Sequence, residues 1–170
     1  MRLIQINKER YRKHLNLVIG GCAAGLILGS LAISQILIAL FPDPSGSHFH
    51  WNLLGVVISS LSLAWVLNKY RNHSFMTEVV YIWELKKALN KINRKILKIK
   101  ELAKQGNVNA LLTLQYSYDG SRMLWELDDN TIVMEELNSA QKELNKLIQE
   151  YQVTLDVNNY TDDVLKTFNH

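Results

Sequence analysis

The pattern of apolar and polar positions divides the chain into two unlike parts. Two long apolar runs lie in the first 67 residues, and the first run, at positions 15–41, contains no Asp, Glu, Lys, Arg or His. A membrane-spanning helix needs about 20 predominantly apolar residues, so this run is long enough to span with some tilt. The second run covers positions 49–67. Together the runs predict a two-helix transmembrane hairpin over residues 15–70.

Small residues recur within both runs at the spacing of one helix face. In a bilayer, helices associate where small side chains let the backbones approach closely, because lipid tails are as apolar as leucine. The glutamine of the first run favours a helix interface over a pore, since a lone amide does not make an ion path. We expect the packing residues of the membrane helices to be Gly21, Gly25, Gly29, Gln35, Gly55 and Ser59. Their spacing leaves open whether they meet within one chain or between copies.

The segment between the two runs has the composition of a short turn. Pro42 and Pro44 end the first helix, and residues 45–47 (SGS) reverse the chain. Two histidines and Asp43 in the same segment suggest a metal site only weakly, because three candidate ligands in a short loop lack supporting residues. We interpret them as ordinary residues of the membrane interface.

Positive charges flank the predicted hairpin on one side only. Five Lys and Arg residues precede the first run, none lies in the turn, and two follow closely after the second run. The positive-inside rule therefore predicts that both termini are cytoplasmic, with residues 1–14 as a basic cytoplasmic lead. The residues expected to face anionic headgroups are Arg10, Arg12, Lys13, Lys69 and Arg71.

From Ser74 onward the apolar pattern acquires a helical period. Apolar residues recur every seven positions, and a second set follows three positions after the first, which is an a/d seam over about three heptads. The seam consists of Ile82, Leu85, Leu89, Ile92, Ile96 and Ile99. The pattern predicts one long helix that runs from a cap at Ser74 to a stop at Gly106. The seam is either filled within the chain's own bundle or shared between chains, since both need the same period.

The outside of this long helix is basic, with eight Lys and Arg residues between positions 86 and 104. Such a face could lie along anionic headgroups. It could also be solvated, or be neutralised by the rest of the chain, because residues 1–105 carry 15 Lys and Arg against 5 Asp and Glu, whereas residues 106–170 carry 4 against 11. The face has no reading motif and no interleaved aromatic residues, so we predict no nucleic-acid binding.

Two further helices are predicted after Gly106. The first runs from about Val108 to Leu127, with Asn107 as its cap, and the second covers residues 134–151. Short connections between helices favour antiparallel neighbours in a small bundle or hairpin. The predicted fold class is therefore all-α, with a membrane hairpin followed by a cytoplasmic helical domain over residues 71–170.

The chain carries none of the common sequence signatures of catalysis. It has no glycine loop for phosphate, no HExxH and no nucleophile elbow. Its one cysteine, Cys22, excludes an intrachain disulfide and a metal site built from several cysteines. We therefore predict no enzymatic activity, no cofactor and no metal.

Four short blocks resemble a known family. In order, they are residues 7–12 (NKERYR), 51–55 (WNLLG), 78–83 (EVVYIW) and 127–131 (LDDNT). Together they resemble a domain-of-unknown-function family of small proteobacterial inner-membrane proteins, over residues 7–151. The resemblance implies a bacterial inner-membrane location and implies that these blocks are family features. It implies no activity.

These observations combine into a functional hypothesis. We expect an integral membrane protein with a structural or interaction role, either as a homo-oligomer or as the accessory subunit of a membrane assembly. Its partners would be a bilayer with anionic headgroups and either itself or another membrane protein. The alternative is a small oligomeric channel or transport element, which is disfavoured because neither run carries an Asp, Glu, Lys or Arg residue. A signal relay is the least favoured hypothesis, since the chain has no recognisable sensor or output domain.

Overall fold

A computed structural model of the protein describes residues 2–42, 46–130 and 132–168. Every regular element in these ranges is helical, so the all-α prediction is confirmed. Three short 3₁₀ helices lie at Ser74–Met76, Val157–Asn159 and Asp162–Phe168. The α-helices are α1 Lys8–Leu40, α2 Phe49–Lys69, α3 Thr77–Asn93, α4 Ile96–Lys104, α5 Val108–Leu127 and α6 Met134–Glu150.

The chain divides into two compact units. Residues Glu9–Val80 form one unit, here called the hairpin unit. Residues Met1–Lys8 and Tyr81–His170 form the other, here called the bundle unit. The predicted boundaries after residues 14 and 70 concern the membrane, and they stay a prediction.

The hairpin unit contains the two apolar helices. Both α1 and α2 are long and apolar enough to cross a membrane, and only 6% and 11% of their most apolar windows is buried in the protein. Large apolar side chains point outward, with Leu28 and Leu61 each 67% exposed. Residues 43–45 of the predicted turn, and with them the candidate ligand Asp43, lie outside the described residues.

The bundle unit is built around α5. This helix packs against both α4 and α6, and every residue from Ala110 to Leu114 is buried. The helix begins where its sequence predicts, because the Asn107 side chain accepts a hydrogen bond of 3.1 Å from the Ala110 amide. Gly120 allows α3 to approach, since a Cβ there would lie 3.2 Å from Leu89. The core of this unit is therefore filled within one chain, mainly by aliphatic side chains together with buried aromatic ones such as Tyr116 and Phe168.

The prediction of one long helix from Ser74 to Gly106 is wrong. The helix is interrupted at Arg94 and Lys95, where the Lys95 amide donates to the Ile92 carbonyl three residues back, at 2.9 Å. A turn of this tighter kind often ends an α-helix, and the weak helix former Asn93 precedes it. The cap also differs from the prediction, because the His73 side chain, rather than Ser74, accepts from the Phe75 amide.

The seam nevertheless keeps its register across the interruption. Ile92 before it and Ile99 after it are both fully buried. Ile96 is only half-buried, because it lines a groove described below. Seven-residue periodicity alone therefore did not reveal the interruption, since the repeat continues on both sides.

Candidate functional site

Glycine and serine residues make a close contact between α1 and α2 of the hairpin unit. A Cβ at Gly55 would lie 2.3 Å from Ser34 Oγ and 2.7 Å from the Ser30 carbonyl oxygen, so no side chain fits there. A Cβ at Gly29 would lie 3.0 Å from Ser59 Oγ. Ser34 and Ser59 are each only 3% exposed. These residues form one line of contact between α1 and α2 of the same chain.

Not all of the predicted packing residues belong to this line. Gly25 does, since a Cβ there would lie 3.2 Å from Leu63 Cδ2. A Cβ at Gly21 would meet nothing within 4 Å, and Gln35 is exposed. Within one chain, the predicted packing residues therefore separate into a group that joins α1 to α2 and a pair, Gly21 and Gln35, that does not.

Most serine hydroxyls of the two helices bond to their own backbone, whereas Ser59 Oγ is buried without a hydrogen-bond partner among the described residues. Ser34 donates to the Ser30 carbonyl at 2.7 Å, Ser60 to Val56 and Ser62 to Ile58, both at 2.8 Å. Serine and threonine in helices commonly bond back in this way. These three hydroxyls therefore have their donors satisfied without a pore or a ligand.

A single carboxylate, that of Glu78 in the first turn of α3, has two basic partners within the hairpin unit. Glu78 pairs with Arg10 at 2.9 Å and with His14 at 3.4 Å. The Glu78 and His14 side chains are only 13% and 15% exposed, and the His14 ring packs against Phe75 with 4.2 Å between ring centroids. Sequence reasoning assigned Arg10 to the headgroups and missed this pairing, because 68 positions separate the two partners.

The other four residues predicted to face the headgroups are exposed to solvent. They are Arg12, Lys13, Lys69 and Arg71. Lys69 Nζ lies 4.9 Å from the centroid of the Trp65 ring, which is a cation–π distance. A tryptophan and a lysine at a helix end are typical of a membrane interface.

The first residues of the chain belong to the bundle unit. The Tyr81 hydroxyl accepts from the Ile4 amide at 2.9 Å and donates to the Arg2 carbonyl at 3.0 Å. Lys8 forms an ion pair with Asp129. Burial raises the pKa of Tyr81, and the hydrogen bond from Ile4 opposes that shift. Residues from three of the four blocks that carry the family resemblance thus engage in long-range polar contacts; Thr131, the last residue of the fourth block, lies outside the described residues.

Two stacked tyrosines lie deep in the bundle unit. The Tyr116 and Tyr160 rings are 4.0 Å apart, and the two residues are 0% and 1% exposed. Burial raises the pKa of both phenols well above the usual value, and the nearby Asp162 adds to the shift. Neither hydroxyl has a hydrogen-bond partner among the described residues. The stacked rings pack the segment after α6, which carries Tyr160, against α5, which carries Tyr116.

A groove of about 540 Å³ opens on the bundle unit. Its floor is α5, and its walls come from α3 and α4 on one side and α6 on the other. Lys86 and Lys100 line the first wall, and Glu136 lines the second. The Tyr118 hydroxyl belongs to the floor, and burial raises its pKa. Lys86 is already paired with Asp128 at 3.2 Å, and within the described residues no group of three His, Cys, Asp or Glu side chains could hold a metal.

Comparison with known proteins gives one match. The sequence profile of a family described as "Protein of unknown function (DUF3087)" matches residues 1–165, so the chain belongs to that family. No curated protein and no solved structure matches the chain. The resemblance read from the sequence is confirmed as far as a family of unknown function, whereas a bacterial origin and a membrane topology stay predictions.

Proposed function

We propose that this member of the DUF3087 family is an integral membrane protein, held by α1 and α2, with a structural or interaction role rather than an enzymatic one. The observation that carries the proposal is the outward-facing apolar surface of the two helices, of which only 6% and 11% is buried in the most apolar windows. Burying a leucine side chain fully is worth about 1.5–3 kcal/mol, so a bilayer would strongly favour covering this surface.

The proposed orientation puts both termini in the cytoplasm of a bacterial cell, with the membrane being the inner one. Its support is the distribution of positive charge, since no Lys or Arg lies between positions 14 and 68. Lys and Arg close to the ends of a span favour the cytoplasmic side.

The structural role is supported by the way acidic side chains are used. Asp128 pairs with Lys86, and Asp162 pairs with Lys91 at 2.5 Å. Glu78 has two partners in the hairpin unit. These carboxylates hold elements together, and this use accounts for them without a reaction.

We propose further that the protein associates through α1, either with itself or with another membrane protein. The seam of the bundle unit is filled within the chain, so it leaves little apolar surface for a partner. Gly21 has open space around it and Gln35 is exposed, and small residues and amides are the groups through which helices meet in lipid. The channel alternative has less support, because serine hydroxyls of both helices bond to their own backbone.

The anchoring is tested by fractionation. The protein should stay with membranes through an alkaline carbonate wash and be released by detergent only. Release by carbonate would contradict the proposal. A reporter that is active only outside the cytoplasm, fused to the carboxyl terminus, should be silent; activity would overturn the orientation.

Association is tested by the mass of the purified chain in mild detergent, with the detergent contribution subtracted. A discrete oligomer supports self-association, and a stoichiometric co-purifying membrane protein supports the accessory-subunit form. A monomer with nothing bound contradicts both.

A further inference from the structure

A row of exposed residues on α3 and α4 combines cations with two large apolar side chains. Trp83 lies at one end and is 55% exposed, and Leu97 lies at the other and is 83% exposed. Lys87 and Arg94 lie between them, at spacings of four, seven and three residues along the row. Within α3, a step of four residues keeps Trp83 and Lys87 on one side of the helix. We call these four residues the Trp83–Leu97 face.

Arg94 joins the two ends of this face. One surface hollow is lined by Trp83, Lys87 and Arg94. A second hollow is lined by Arg94 and Leu97, together with residues of the interruption between α3 and α4. Because both hollows include Arg94, the face continues across the interruption.

Three acidic residues near this face are paired with cations outside it. Asp162 is paired with Lys91, and Asp163 is paired with Lys166 at 2.6 Å. Glu101 of α4 is paired with Lys98 at 3.1 Å. Lys87 Nζ lies 5.4 Å from the centroid of the Trp83 ring, so the cation and the indole present a joint surface.

This combination suits the headgroup region of an anionic membrane. Tryptophan is enriched at that level because its ring is amphipathic, leucine inserts its side chain beyond it, and Lys and Arg attract anionic lipids. A nucleic acid would engage the cations and leave Leu97 without a partner.

The chain length also permits this contact. Eight residue steps, which include the 3₁₀ helix Ser74–Met76, separate Lys69, the end of α2, from Thr77, and six helical residues then lead to Trp83. At about 3.5 Å per extended residue and about 1.5 Å per helical residue, Trp83 is at most about 40 Å from the end of α2. This length of chain therefore lets Trp83 reach the headgroups of a bilayer that α2 spans.

We infer that the Trp83–Leu97 face is a peripheral binding surface for anionic phospholipid headgroups, which adds a second membrane contact to the anchoring helices. The inference rests on the proposed membrane anchoring. Lys87 and Arg94 bind the phosphate groups, and Trp83 and Leu97 enter the interface on either side of them.

The test uses the full chain with Cys22 replaced by serine and with Leu97→Cys labelled with an NBD fluorophore, whose emission reports removal from water. The chain is reconstituted into nanodiscs of phosphatidylcholine, with or without phosphatidylglycerol. A label at Asn138→Cys, an exposed position of α6, is the control. We expect a blue shift and a severalfold increase of the Leu97→Cys emission in anionic discs only, and no change at Asn138→Cys.

Charge variants then test whether electrostatic attraction to the anionic headgroups holds the Trp83–Leu97 face at the membrane. Each Lys or Arg near an anionic surface contributes a factor of about five, so Lys87→Gln with Arg94→Gln should lower the ratio of docked to undocked face by about thirty-fold. Lys87→Arg with Arg94→Lys keeps both charges and should keep most of the signal. Far-ultraviolet circular dichroism verifies that each variant retains its helix content.

Three outcomes would overturn the inference. A label at position 97 that stays water-like in anionic discs, in a chain that co-elutes with them, overturns it and leaves the anchoring intact. A shift that also occurs in detergent and grows with protein concentration means that a second copy covers the face. A chain that elutes apart from the discs overturns the proposed anchoring as well.

Discussion

The hairpin unit and the bundle unit use apolar residues in opposite ways. In the hairpin unit the contact between helices is made by Gly29, Gly55 and two serines, while Leu28 and Leu61 point outward. In the bundle unit Leu85, Ile92 and other aliphatic residues fill the interior, and charged residues lie outside. In water the largest apolar side chains are buried first, whereas in lipid they gain nothing from meeting each other and small residues form the contact. The comparison agrees with the proposed difference in surroundings, with water around the bundle unit and lipid around the hairpin unit.

The largest expected effect tests whether the seam is filled within the chain. Leu85→Ala removes a fully buried side chain that packs near Gly120, and it should lower the free energy of unfolding of the bundle unit by about 2–5 kcal/mol. Urea unfolding of the detergent-solubilised chain, followed by circular dichroism, measures it. Leu97→Ala is the matched control, since an 83% exposed leucine should change stability by less than about 0.5 kcal/mol. A lower oligomer mass with unchanged stability would instead place the seam between chains.

The second effect concerns the line of contact in the hairpin unit. Gly55→Ala puts a Cβ within 2.7 Å of the Ser30 carbonyl oxygen, so the helices must separate, at a cost of about 1–3 kcal/mol. Loss of the compact hairpin should appear as altered mobility in mild-detergent electrophoresis and as faster proteolysis.

Gly21→Ala is the control for that contact, and it tests the Gly21 end of the same face of α1, one turn before Gly25. A Cβ there meets nothing within 4 Å of its own chain, so the hairpin should be unaffected. If α1 associates with another copy through this face, Gly21→Leu should lower the oligomer mass while Gly55→Ala does not. The opposite result would mean that the hairpin contact and the association surface are the same.

A smaller effect is expected at the cap of α5. Asn107→Ala removes the acceptor for the Ala110 amide and should destabilise the bundle unit by about 1 kcal/mol. Asn107→Asp, which preserves the acceptor, should retain nearly all of the stability in the same urea experiment. Equal losses in both variants would show that the cap does not contribute.

The smallest effect at neutral pH is expected at the buried tyrosines, where the pH dependence has a definite sign. Burial raises the pKa of Tyr160 in the folded state. The contribution of this group to the free energy of unfolding is therefore complete below its unfolded pKa of about 10, and it is lost as the pH rises further. Tyr160→Phe removes a buried hydroxyl that has no partner among the described residues, so stability at pH 7 should stay equal or rise by up to about 1 kcal/mol. The variant should also tolerate alkali better than the parent; an unchanged alkaline transition would contradict the assignment.

Local signals predicted much of the fold. The bounds of α5 follow from the Asn107 cap and the apolar pattern, and α6 ends one residue before the predicted position. The interruption at Arg94 was missed because it leaves the seven-residue repeat intact. The pairs Arg10–Glu78 and Lys8–Asp129 were missed because nothing in a single sequence signals a polar contact between distant positions. Glycine spacing predicted small-residue packing but could not separate Gly21 from Gly25, since both lie on one face of α1 and the sequence does not show where along that face α2 comes close.

The place of the first eight residues has a consequence for biosynthesis. The hairpin unit is inserted in the sequence between two parts of the bundle unit, and 121 positions separate Lys8 from Asp129. At about 5–20 residues per second, a ribosome needs roughly 6 to 24 s to make that stretch. During that time the partners of the amino-terminal residues are not yet synthesised, because the apolar helices of the hairpin unit are made first. Assembly of the bundle unit is completed last, so a chain that stops before Asp129 leaves Lys8 without its ion-pair partner.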